Sequence, residues 1–127
     1  MEKLELKGSP KTPDILLDGD NGQIRLKGRS IPENSIEFFD PIYSWIDTYC
    51  ESPCSETVLD VRLEYFNTSS SKCLLDIFKK FEKINGNRSH VRVNWYFERD
   101  DEDMAEAGED YQAIVDLPFD IIEVDEI

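Results

Sequence analysis

Glu64-Tyr65-Phe66-Asn67-Thr68-Ser69-Ser70-Ser71-Lys72 is the stretch in which a sequence period of two gives way to a period of three and four. Upstream, Leu59, Val61, Leu63 and Tyr65 alternate with Asp60, Arg62 and Glu64, which predicts a half-buried strand over Val58–Phe66. Downstream, Leu74, Ile77, Phe78, Phe81 and Ile84 recur at helical spacing and predict one apolar stripe. A strand feeding straight into a helix is the first half of a βαβ unit, so the junction points to an α/β protein with parallel pairing. The helix begins among Asn67, Thr68, Ser69, Ser70 and Ser71, residues that satisfy the orphaned amides of a first helical turn. The same amides and the positive end of the helix dipole suit an added anion such as a phosphate.

Working outward, Leu4 and Leu6 suggest a short first strand ended by Gly8-Ser9-Pro10. Thr12–Asp18 and Gln23–Lys27 read as a hairpin around Gly19-Asp20-Asn21-Gly22. Gly28 to Asn34 is expected to be a connection, with Asn34 capping a helix from Ser35 to about Tyr49. In that helix Ile36, Phe39, Ile42, Tyr43, Ile46 and Tyr49 keep the period, and Pro41 predicts a kink or a break near Asp40. Beyond the junction, Asn85-Gly86-Asn87 stops the second helix, and Val91, Val93, Trp95 and Phe97 alternate as another strand. The acidic run Arg99-Asp100-Asp101-Glu102-Asp103 leads into a third helix, which Gly108 weakens and Leu117-Pro118 ends before a last strand from Phe119 to Asp125. The expected architecture is a mixed, largely parallel sheet with an N-terminal hairpin and about three crossover helices, mainly on one face.

At 127 residues the chain is expected to form a single domain, residues 1–127, with a core that needs neither disulfide nor metal. Twenty-eight acidic against 14 basic side chains give a net charge of −14, which opposes nucleic acid and anionic membranes and favours a basic or apolar partner surface. Met1 to Lys7 alternates leucine with charge and lacks the apolar run of a signal peptide or membrane span, so a cytoplasmic location is expected. Cys50, Cys54 and Cys73 are an odd number, read as reduced thiols, with the spacing of Cys50 and Cys54 able to bring two sulfurs together.

Little in the chain besides the junction points to chemistry. His90 belongs to no recognisable motif, no phosphate-cradling glycine loop is present, and Asp18 and Asp20 stand at calcium-loop spacing without the required glycine or the twelfth-position glutamate. Asp100, Asp101, Asp103 and Glu109 would serve a small metal-dependent hydrolase only if folding drew them together. A single cap needs one hydroxyl; Thr68, Ser69, Ser70 and Ser71 supply four, at the end of a central strand where open α/β sheets expose functional groups.

Asp18–Glu33 (DGDNGQIRLKGRSIPE), Asn34–Trp45 (NSIEFFDPIYSW), Asn67–Lys72 (NTSSSK) and Asn94–Tyr111 (NWYFERDDEDMAEAGEDY) together resemble the SiaC family of regulatory phosphoproteins, and the resemblance spans nearly the whole chain. It implies a fold similar to the anti-sigma-factor antagonists of the SpoIIAA and STAS type, no catalysis and no cofactor. It also implies a phosphoacceptor at Thr68; the segment around it, Asn67, Thr68, Ser69, Ser70, Ser71 and Lys72, is the expected partner-binding surface. The implied partners are a cognate protein kinase, a PP2C-type phosphatase and, in one branch of the family, a diguanylate cyclase that the unphosphorylated protein activates. An antagonist acting on a different kinase or anti-sigma factor is the alternative within the same fold.

Overall fold

The computed structural model describes residues 2–127; Met1, the first residue of the leucine-and-charge stretch, lies outside them. The elements are β1 (Leu4–Leu6), β2 (Asp14–Asp18), β3 (Gln23–Ser30), α1 (Ser35–Glu51), β4 (Glu56–Phe66), α2 (Thr68–Glu82), β5 (His90–Glu98), α3 (Glu102–Ile114) and β6 (Phe119–Val124). Their six strands form one sheet in the order β1-β2-β3-β4-β5-β6, so chain order and spatial order coincide. The first three strands pair antiparallel, and β3, β4, β5 and β6 pair in parallel. Each parallel step moves the same way across the sheet, and a common crossover hand then places α1, α2 and α3 on one face.

That face carries the core. Leu17, Ile24, Leu26, Leu59, Leu63, Val93 and Trp95 from the sheet pack against Phe39, Ile42 and Ile46 of α1 and against Leu74, Ile77, Phe78 and Phe81 of α2, all buried. Tyr111 of α3 closes the layer, edge-on to Phe78 at 5.2 Å and tilted on Trp95 at 5.3 Å between ring centres. Burying each such side chain stabilises the fold by about 1.5–3 kcal/mol relative to leaving it exposed. The opposite face is wet, with Arg25, Lys27 and Arg92 exposed and Arg62 laid over the Tyr96 ring at 3.8 Å.

Three expectations are corrected. α1 runs without interruption through Pro41, which sits on its exposed side, where water can serve the carbonyl that proline leaves without a donor. Ile36 is 77% exposed because it shares its side of the helix with half-buried Tyr43, seven residues on, while Phe39, Ile42 and Ile46 hold the core side. Tyr65 is 51% exposed instead of continuing the Leu59-Val61-Leu63 row. Between Gly28 and Arg29 the register shifts so that Gly28 faces Leu63 and Arg29 faces Tyr65, leaving Glu64 as an extra residue. One inserted residue turns every later side chain to the other face, so Phe66 takes the inward place, edge-on to Trp95 at 5.9 Å.

The shift also lengthens β3 to Ser30, three residues past the predicted end, with Gly28 at φ 116°. In α3, Gly108 is a packing requirement: a Cβ there would stand 2.5 Å from Trp95 Cδ1.

Candidate functional site

The C-terminal ends of the parallel strands β3, β4 and β5 lead into the N-termini of α1, α2 and α3, which therefore lie along one edge of the sheet. Each helix start is closed by a short polar side chain accepting an amide three residues on. Asn34 accepts from Glu37 at 3.1 Å, Asn67 from Ser70 at 2.9 Å and Asp101 from Met104 at 3.1 Å. The cap of α2 is thus Asn67, and none of the four hydroxyls behind it is needed for that purpose.

Those hydroxyls have different fates. Ser70 is fully buried; its Oγ lies 2.8 Å from Ser30 Oγ and 3.0 Å from the Ser30 carbonyl, to which it donates. The Asn67 amide donates to the same Ser30 carbonyl at 3.0 Å, so the last residue of β3 pins the first turn of α2. Ser69 Oγ lies 2.7 Å from Ser35 Oγ at the start of α1 and 3.1 Å from Asn67 Oδ1, to which it donates. Ser71 donates to the Thr68 carbonyl at 2.6 Å, and Tyr111 of α3 donates to the Ser71 carbonyl at 2.8 Å. Burial pushes the Tyr111 hydroxyl up to about 12, so it remains a donor at any physiological pH. Thr68 is the first residue of α2, is exposed, and its hydroxyl makes no hydrogen bond among the described residues. Lys72, also exposed, follows it by one helical turn.

Ser30 and Ser35 belong to this site although neither stands out in the sequence. Ser30 is the last inward position of a strand that a plain hairpin reading ends at Lys27, and Ser35 is buried at the first position of α1, one residue before the Ile36 expected to begin its apolar stripe. The other candidates do not converge. Asp101 is spent on its cap, Asp100 sits at φ 73° in the turn before it, and Glu109 lies two turns further along α3. No three His, Cys, Asp or Glu side chains gather as metal ligands among the described residues. Asp18 accepts from both the backbone and side-chain nitrogens of Asn21, and this turn holds its carboxyl below the usual range. His90 is exposed at the start of β5.

Cys50, Cys54 and Cys73 are free thiols. Cys50 lines a groove with Lys80 and Arg88, and burial, helped by Asp47, pushes its thiol up to about 11. Cys54 instead donates to the Gly19 carbonyl at 3.1 Å. No described helix is long and apolar enough to cross a membrane.

A family model described as SiaC family regulatory phosphoprotein matches residues 6–124. An uncharacterised protein of Pseudomonas aeruginosa is 33% identical over 126 residues, covering 99% of this chain and all of its own. Among solved structures, SiaC of Pseudomonas aeruginosa in complex with the diguanylate cyclase SiaD, which it activates, is 34% identical with a TM-score of 0.88, over 95% of this chain and 99% of that one. Apo-SiaC of the same organism superposes with a TM-score of 0.86 at 33% identity, over 96% and 99%.

Proposed function

The chain belongs to the SiaC family of regulatory phosphoproteins, and we propose that it is a non-catalytic, cytoplasmic switch whose unphosphorylated form engages and activates a diguanylate cyclase. A dedicated kinase phosphorylates Thr68 and releases the partner; a PP2C-type phosphatase restores binding. The 127 residues act as one unit in this scheme. The cyclase is taken from the relative that is similar over nearly the whole chain and is bound to SiaD as its activator.

The observation that carries the choice of acceptor is the state of the four hydroxyls. A kinase needs a hydroxyl that can leave the surface, and Ser69, Ser70 and Ser71 are each engaged in hydrogen bonds within the protein. Thr68 alone of the four is both exposed and unengaged among the described residues. A phosphate there adds about −1.5 to −2 charge at neutral pH beside the helix start. Inside the domain the amides of α2 and the Lys72 ammonium one turn on accommodate it with little rearrangement. Across an interface the same dianion must be desolvated against a docked surface, and binding is lost. The mechanism is a charge added in place, without refolding.

Mass spectrometry of protein treated with the host's cognate kinase tests this: Thr68→Ala abolishes the phosphate while the variant keeps the wild-type melting temperature within about 2 °C and retains cyclase binding. Undiminished phosphate on Ser69, Ser70 or Ser71 in that variant would move the acceptor elsewhere.

A further inference from the structure

We propose that the docking surface of the regulated partner is the pair of apolar platforms formed by Ile36 and Tyr65 on either side of Thr68, and that its occupant is a partner surface with an apolar centre and a rim of Lys or Arg. This deepens the switch reading and rests on it for the identity of the partner.

The described residues include three large apolar side chains that are strongly exposed: Ile36 at 77%, Tyr65 at 51% and Ile114 at 59%. Two of them lie at the edge that carries Thr68. Ile36 follows Ser35, whose hydroxyl touches Ser69, and Tyr65 precedes Thr68 by three residues. Both are exposed through departures from the simple pattern, one by its position on the flank of α1 and the other by the register shift opposite Gly28 and Arg29. Beside Tyr65 a shallow hollow opens towards the first turn of α3, floored by Tyr65, Phe66, Met104 and Ala107 and edged by Glu64, Asp101 and Asp103. An apolar floor under carboxylates suits the stem and head of a Lys or Arg, or an aliphatic anchor flanked by one.

The charges select the class of occupant. Exposed Glu33 and Glu37 stand beside Ile36, and Glu64, Asp101 and Asp103 beside Tyr65; Lys11, whose carbonyl accepts from the Ile31 amide, Arg29 and Lys72 are cations of the same edge. Within a chain of net charge −14 this edge repels a second copy of itself, which would bring each carboxylate rim against its own kind, and attracts a cationic surface. A phosphate on Thr68 would then sit between the two platforms, in the middle of the buried contact.

Two measurements test the surface separately from the partner. In the first, a synthetic amphipathic helix with a leucine stripe and lysines, and its glutamate counterpart, are titrated into the full-length protein by NMR. The lysine peptide is expected to shift the Ile36 methyl and Tyr65 ring signals most and the glutamate peptide to leave them unmoved; shifts centred elsewhere, or spread evenly over the acidic surface, overturn the proposal. In the second, the purified diguanylate cyclase of the same host is titrated with wild-type, Ile36→Ser, Tyr65→Ser, the double variant and Ile114→Ser. Each platform substitution is expected to weaken binding about tenfold and the double about a hundredfold, with Ile114→Ser unchanged. A double variant that binds within twofold of wild type sinks the docking surface and leaves the switch reading standing. Wild-type protein that binds the lysine peptide at Ile36 and Tyr65 but not the cyclase keeps the surface and removes the cyclase as its partner.

Discussion

Ser30 and Ser70 show how much of the proposed switch edge depends on two hydroxyls that never meet solvent. Both are fully buried and their oxygens are 2.8 Å apart, while Ser70 also donates to the Ser30 carbonyl. Removing the Ser70 hydroxyl leaves that of Ser30 without its partner, whereas Ser70 without the Ser30 hydroxyl keeps the Ser30 carbonyl, and an unsatisfied buried hydroxyl costs about 1–3 kcal/mol. Ser70→Ala should therefore lower stability by that amount in urea unfolding, and the Ser30→Ala, Ser70→Ala double variant should lose less than the sum of the singles. Simple additivity would mean that the pair is not coupled. Since the Ser30 carbonyl also holds the Asn67 amide, Ser70→Ala should leave Thr68 in place and, on the proposed assignment, phosphorylated as in the wild type. The contrast with Thr68, exposed and unengaged, is one that four adjacent hydroxyls in a sequence do not display. Which of them turns inward is set by the phase of α2 against β3, a tertiary fact.

At the level of elements, α3 and β5 are fitted to one another through Gly108 and Trp95. The indole is fully buried and donates to the Met104 carbonyl at 2.9 Å, so the ring cannot swing away from an added methyl. Alanine ordinarily gains up to about 1 kcal/mol over glycine inside a helix, but a Cβ 2.5 Å from Trp95 Cδ1 forces backbone or ring to move. The clash wins: Gly108→Ala should destabilise by about 1–3 kcal/mol net, read as a lower melting temperature with altered tryptophan fluorescence. A rise in melting temperature would show that the helix has room to shift. Sequence pattern alone marks Gly108 only as a weak point, because periodicity reports which side of a helix faces inward and not how close the facing ring comes. The same limit explains the rest of the reading. The strand leading into NTSSSK, the stripe of α2 and the Val91-Val93-Trp95 strand are legible because one face is buried and the period is clean. Tyr65, Ile36 and the run through Pro41 are not, because a bulge, a helix flank and a solvated carbonyl leave no mark on the period.

For the molecule as a whole, charge and burial set a pH dependence. Burial is the main reason that the Cys50 thiol is pushed up to about 11 from 9.0 and the Tyr111 hydroxyl up to about 12 from 10.0. In each case the unfolded chain loses its proton first as pH rises, while the folded chain still holds it. The stability these groups contribute is complete below the unfolded values and declines from about pH 9 upward. Urea midpoints measured near pH 7.5, 9 and 10.5 should fall across that series with little change in slope, and a flat midpoint would mean that the two groups stay solvated in the native state. A different consequence follows from the coincidence of chain order with spatial order across all six strands. Each strand is laid beside its immediate predecessor, so the largest loop that must close at any step is one helix with its two turns, and no segment waits for a distant partner before it can pair. Assembly can advance by accretion from the hairpin as the polypeptide lengthens, with every helix roofing the strands already in place. The edge that bears Thr68 is then finished only when the third helix docks, so a half-made chain would offer neither the proposed platform to a partner nor the proposed acceptor to a kinase.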